Sequence, residues 1–218
     1  MLCGKYIKIV WLFTDEGGGS NLPRRDKRAD IVNAGIRIFS RKGFNRCSVE
    51  DILQEAHVAR ATFYSYFDSK KDLFVELVDG ILNSMFEIVA RELGDIPSTL
   101  DELKEKTKNT ILALYKYFSE NWEFSAIYIK EVMGMNPEID FRIVEWQQRV
   151  AEMVKILLNR GIEKGMFRPM DVDIVSTLVA GAPQHLGLQL FMFNQNVDIP
   201  RVADAVTDYL IYGLAARS

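Results

Sequence analysis

Apolar residues recur at helical spacing along most of this chain. In the stretch Ser48–Phe67, SVEDILQEAHVARATFYSYF, residues Val49, Ile52, Leu53 and Ala56 fall at i, i+3, i+4 and i+7. That places them on one face of a helix over Val49–Ala56. Ser48 followed by Asp51 is a capping-box spacing that fixes its start. His57–Ala59 reads as a tight turn. A second helix is predicted to begin near Arg60, with Phe63 and Phe67 one turn apart and facing inward. Upstream, Ile31, Ala34, Ile38 and Phe39 form the apolar stripe of a helix from about Arg24 to Lys42, stopped by Gly43. Downstream, Ser69 and Asp72 repeat the capping pattern. They open a long helix, about Lys70 to Leu93, with Leu73, Leu77, Ile81, Met85 and Ile88 along its stripe.

The pattern continues in the same period to the end of the sequence. Thr99 with Glu102 starts a helix of about residues 99–120, and another covers about Glu123–Met133. Asn136 and Pro137 stand as N-cap and first residue of a helix reaching about Lys164, where Gly165 stops it. Asp171 or Asp173 starts a helix to about Asn194, within which Pro183 should introduce a kink. Asp198 starts the last helix, to about Ala216. No alternating run with turn signals on both sides interrupts this pattern, and no repeat stands out. The fold class is all-α, with about nine helices.

Composition changes this picture through its distribution. The 218 residues are 48% hydrophobic, enough for a proper core, and the net charge is only −3. Residues 23–71 carry 11 Lys/Arg against 6 Asp/Glu, whereas residues 72–218 carry 14 against 22. A basic module joined to an acidic body points to an anionic partner for the first. The two cysteines, Cys3 and Cys47, stand far apart in no metal-binding or disulfide pattern, which fits a reducing cytoplasm. No apolar run approaches the roughly 20 residues that span a bilayer. Residues 1–22, with Gly17–Ser20 of linker composition, are expected to be an extension outside the fold.

The chemistry on the second helix of the central pair suits nucleic acid. Arg60 reaches guanine edges, the methyls of Ala61 and Thr62 meet the thymine methyl, and the phenols of Tyr64 and Tyr66 bond phosphates. The spacing alone is equally consistent with a helical hairpin closed on an aromatic core. Enzyme signatures are missing: the sequence contains no His-Glu-x-x-His, nucleophile elbow, phosphate loop or Cys-x-x-Cys, and only two histidines. No catalytic residue, metal ligand or cofactor is assigned.

Several of these stretches taken together carry a resemblance. Gly43-Phe44, Ser48-Val49-Glu50-Asp51-Ile52, Ala56 to Phe67 and Ser69-Lys70-Lys71-Asp72-Leu73-Phe74 resemble the tetracycline-repressor (TetR) family of bacterial transcription regulators. The likeness covers about residues 25–80. It implies a homodimer with one helix-turn-helix per subunit, each reading half of a palindromic double-stranded DNA operator. Carried over by position, Arg46, Ser48, Arg60, Ala61, Thr62, Tyr64, Tyr66 and Lys70 contact DNA. Phe44, Ile52, Val58, Phe63 and Phe67 are core. Two positions depart from the family's habit. His57 stands where glycine is usual, and Ala59 where a capping Ser or Thr is frequent.

The resemblance also assigns domains: residues 23–84 bind DNA, and residues 85–218 bind a small-molecule effector and dimerise. Phe86, Tyr115, Phe118, Trp122, Tyr128, Met133 and Trp146 are candidate pocket residues, suited to an apolar or aromatic effector. Met135 and Phe167 belong to the same aromatic and Met-rich set. Gln184, His185, Leu188 and Tyr209 are candidates for the subunit interface, which the resemblance places on the last two helices. The protein is expected to be a cytoplasmic repressor rather than an enzyme, with no membrane partner. A rival from another class is a helical ligand-binding or interaction protein without specific DNA binding.

Overall fold

The structure, a computed structural model, describes residues 26–123, 125, 127, 137–193 and 196–214. The described residues form eight α-helices and no β-strand. They are α1 (Lys27–Lys42), α2 (Val49–Ala56), α3 (Arg60–Tyr64), α4 (Lys70–Leu93), α5 (Leu100–Glu120), α6 (Pro137–Glu163), α7 (Val172–Phe193) and α8 (Ile199–Leu214). The extension of residues 1–22 and most of the helix expected over Glu123–Met133 lie outside the described residues. The chain separates into two compact units, and the division falls between Phe74 and Val75, inside α4.

The first unit is a three-helix cluster closed by the start of α4. Asp26 caps α1 through bonds from the amides of Arg28 and Ala29. Ser48 and Asp51 form the complete capping box on α2: the Asp51 amide donates to Ser48 Oγ at 3.2 Å, and the Ser48 amide to Asp51 Oδ2 at 2.9 Å. The core is aromatic. Phe39 and Phe74 meet edge to face at 5.1 Å between centroids, and Phe63 lies 5.7 Å from Phe67. Phe39, Ile52, Phe63 and Phe74 are almost wholly buried.

Ion pairs brace α2 against α1. Arg37 and Arg41 grip the two oxygens of Glu55 at 2.6 and 2.7 Å, and Lys42 reaches Asp51 at 2.7 Å. The hydrogen bonds from Arg37 and Arg41 hold the Glu55 carboxyl below its ordinary range. Part of the basic excess read from the sequence therefore serves the fold of this unit.

In the second unit α5 packs against α8 and α6 against α7. Lys104 bonds Asp208 at 2.7 Å and Lys108 pairs with Asp204, joining α5 to α8. Lys155 reaches Asp173 at 2.5 Å, joining α6 to α7. Leu103, Val154, Leu158, Phe167 and Ile211 make one buried cluster. Phe167, offered above among residues for a pocket, belongs to this cluster instead. It packs directly on Gly161: a Cβ at 161 would lie 2.1 Å from Phe167 Cδ2, so only glycine fits that helix face.

Candidate nucleic-acid interface and effector cavity

The turn between α2 and α3 is set by two residues that break local rules. His57 ends α2 with φ 54° and ψ 47°, the left-handed conformation that glycine adopts without strain. It is the one non-glycine residue with positive φ among the described residues. Ala59 takes the extended N-cap conformation of α3 but offers no side-chain acceptor. The helix is held by backbone bonds alone, the amides of Thr62 and Phe63 donating to the Ala59 carbonyl. It is short, Arg60–Tyr64, so Phe67 lies beyond its end. Phe67 nevertheless stays buried, its amide bonded to the Phe63 carbonyl at 3.0 Å.

One side of α3 is anchored and the other is open. Phe63 is wholly buried. Arg60 and Ala61 are exposed, Thr62 is half-buried, and Tyr64 and Tyr66 are 45% and 46% exposed. Tyr64 rests edge-on against Phe63 at 5.4 Å, which steadies the ring at the surface. The Arg60 guanidinium pairs with Glu50 of α2. Ser48 and Arg46 are exposed near the α2 N-terminus, and Arg46 Nε donates to the Lys42 carbonyl at 3.0 Å.

Lys70, expected on phosphate, has a different task in this structure. Its ammonium donates to the carbonyls of Phe44 and Cys47 at 2.6 and 2.7 Å and lies 4.4 Å from the centre of the Phe44 ring. Two of its three N–H bonds are thereby committed within the unit. The partners Glu50 and Phe44 had no signal in the sequence, because each contact joins residues from different helices or loops.

The second unit contains a cavity of about 120 Å³. Its wall is built from α4 to α8 and is overwhelmingly apolar: Val89, Ile111, Val150 and Leu210 contribute, with Tyr115, Phe118, Trp146 and Phe191 as its aromatic part. Tyr115 donates its hydroxyl to the Pro183 carbonyl at 2.7 Å, and burial pushes this phenol up to about 12. Gly187 lets α7 approach the Tyr115 ring, since a Cβ there would stand 3.2 Å from the ring edge.

Three of the expected pocket residues, Tyr115, Phe118 and Trp146, line this cavity. Phe86 and Trp122 do not. Phe86 lies beneath the Arg149 guanidinium, 4.0 Å from its ring centre, and Trp122 follows the end of α5. Tyr128, Met133 and Met135 are outside the described residues. Of the residues expected at a subunit interface, Gln184 and Leu188 line the cavity, whereas His185 and Tyr209 are exposed, Tyr209 to 75%. Among the described residues no cluster of His, Cys, Asp or Glu could hold a metal ion, and no helix is long and apolar enough to cross a membrane.

Comparison with known proteins gives the same division of the chain. Residues 31–77 match the family described as bacterial regulatory proteins, tetR family, and residues 101–186 match the tetracyclin repressor-like C-terminal domain. The HTH-type transcriptional repressor KstR2 of Mycobacterium tuberculosis is 27% identical over 151 residues, 68% of this chain and 74% of that protein. The fatty acid metabolism regulator protein of Bacillus subtilis is 21% identical over 192 residues, 88% and 97% of the two chains. Among solved structures, FadR of Bacillus subtilis in complex with stearoyl-CoA superposes with a TM-score of 0.70 at 22% identity, covering 85% of this chain and 98% of that one. PfmR of Thermus thermophilus gives 0.67 at 25% identity, with 87% and 98% covered.

Proposed function

Since this chain belongs to the tetR family of bacterial regulatory proteins, we propose that it is a ligand-responsive transcriptional repressor. It grips a palindromic operator as a homodimer, in the cytoplasm, and releases it when a small apolar or aromatic effector fills the cavity. One observation carries the reading: a braced helix-turn-helix with an open polar face and an apolar cavity occur in the same chain, and one helix, α4, belongs to both units. Tyr64, Tyr66, Ser48 and Arg46 hold phosphates, and Arg60, Ala61 and Thr62 meet base edges.

The cavity supports an effector of low polarity, since hydrocarbon walls recognise hydrocarbon. The stearoyl-CoA bound by the FadR relative is of that kind along its chain. Dimerisation is supported by the outer faces of the last two helices. Ile174, Leu178 and Met192 on α7 and Tyr209 and Tyr212 on α8 are all more than half exposed. Apolar side chains in that number mark an association surface rather than a solvated one. His185 of α7 is exposed as well.

Release follows from geometry. Half-sites one helical turn apart demand about 34–36 Å between recognition helices. An effector that binds better to a conformation with another separation lowers operator affinity by that difference in binding, and by nothing else.

The test is fluorescence anisotropy of a labelled duplex from the promoter upstream of the protein's own gene, at two salt concentrations, with and without effector candidates. Saturable binding that competitor DNA of random sequence does not remove is expected. Absence of binding to any promoter duplex would favour the rival, a helical ligand-binding protein without an operator.

A further inference from the structure

A second pocket lies beside the apolar cavity, and Trp146 lines both. The second pocket has a volume of about 230 Å³ and a polar wall that includes Asp79, Asn83, Arg142, Glu145 and Arg149. Two buried groups on its lining residues lack a hydrogen-bond partner: the indole Nε1–H of Trp146 and the Nε–H of Arg142. Among the described side chains these are the only buried, unpartnered groups that can do nothing but donate. The others are hydroxyls or a carboxylate. Trp146 is only 6% exposed, so its N–H is cut off from bulk water.

The surrounding charges are already partly committed. Arg142 Nη1 donates to Asp79 at 2.6 Å, which neutralises that carboxylate. Glu145 is exposed. Arg149 is exposed and stacks on Phe86. The pocket therefore presents two unanswered donors beside an exposed guanidinium. What it lacks is an oxygen that accepts.

We propose that this pocket is the head-group site of the effector, and that the effector is an apolar chain or ring carrying a carboxylate or acyl oxygen. The chain fills the cavity on one side of Trp146. The oxygen takes the Trp146 and Arg142 N–H bonds on the other, with Arg149 supplying charge. This rests on the effector reading above and adds the chemistry of the effector's polar end.

Three ligands sharing one chain test it by calorimetry: decanoate, decanoyl-CoA and decylamine. The carboxylate or the thioester, or both, should bind at least tenfold more tightly than the amine. Which of the two acyl forms binds identifies the source of the oxygen. Trp146→Phe removes the donor but keeps a ring. It should cut the preference for the acyl ligand over the amine by about ten- to a hundredfold, the strength of a hydrogen bond to a charged acceptor. Taking the ratio cancels any change in packing. Arg149→Gln, at an exposed position, should lower acyl affinity and leave the amine unaffected. Equal binding of amine and acid, or a preference that survives Trp146→Phe, overturns the head-group site while leaving the cavity as an effector site. No binding of any of the three overturns both.

Discussion

Arg60 is the side chain on α3 best suited to read a base, and in the free protein it is held by Glu50. To reach DNA it must leave that carboxylate. The substitution Glu50→Gln removes the competitor. The side chains of the pair are 62% and 50% exposed, so water already weakens the attraction. Exposed pairs of this kind contribute about 0.2–1 kcal/mol. Freeing Arg60 should therefore tighten operator binding by about 1.4- to 5-fold. A lost negative charge near phosphates would also tighten binding, whatever Arg60 does. The double-mutant cycle separates the two effects. Arg60→Gln alone should cost about 1–3 kcal/mol in operator affinity, as for a base contact. If Glu50 acts by holding Arg60, then Glu50→Gln brings little further gain in the Arg60→Gln background. Anisotropy titrations of all four proteins at one salt concentration give the answer. An equal gain in both backgrounds would refute the reasoning and leave only a long-range field. Glu50 lies in the first turn of α2, where a carboxylate favours the helix. Urea unfolding of each variant checks that the helix-turn-helix is intact.

Three further outcomes follow from local structure. Ala59→Ser supplies the missing cap of α3 and should raise stability by about 1 kcal/mol, read as a shift in the urea midpoint with unchanged slope; an unchanged midpoint would mean the hydroxyl finds no amide. Gly161→Ala drives a methyl into the Phe167 ring and should lower stability by about 1–3 kcal/mol, with Phe167→Leu in the same chain restoring part of it; thermal melts of the single and double variants check this. The Lys42 ammonium and the Ser48 amide hold the Asp51 carboxyl down at about 2. A depressed carboxyl stabilises the fold fully above its unfolded value, about 4, and loses that contribution as pH falls towards about 2. Asp51→Asn should therefore be less stable at neutral pH and show a shallower decline between those values in a pH series of urea midpoints.

The parts of the fold that were legible in the sequence are those governed by neighbours in the chain. The capping pair Ser48–Asp51 sets α2 at Val49–Ala56, and α4 runs Lys70–Leu93, both as the spacing predicts. His57 in a left-handed turn and Ala59 without a cap were visible for the same reason. The cavity was only partly legible. Periodicity tells that a side chain points away from solvent, not which of several inner surfaces it meets. Tyr115, Phe118 and Trp146 meet the cavity, Phe86 meets Arg149, and Phe167 meets Gly161. Most of the cavity wall is aliphatic and drawn from five helices, which leaves no spacing to detect. The polar pocket behind Trp146 was invisible for a related reason. Arg142 and Arg149 look like ordinary surface positions until Asp79, from a different helix, is brought beside them.

The brace between α1 and α2 changes what the charge of this module means. DNA is surrounded by condensed counterions, and a protein gains affinity by displacing them with cations of its own. Arg37, Arg41 and Lys42 are already answered by Glu55 and Asp51 at 2.6 to 2.7 Å, so they displace few. The positive excess of residues 23–71 overstates the charge that a duplex meets. A reader built this way dwells briefly on random sequence, because little holds it there except geometry. Its discrimination then rests on the fit of a short helix in the groove, and the slope of operator affinity against salt should be correspondingly shallow.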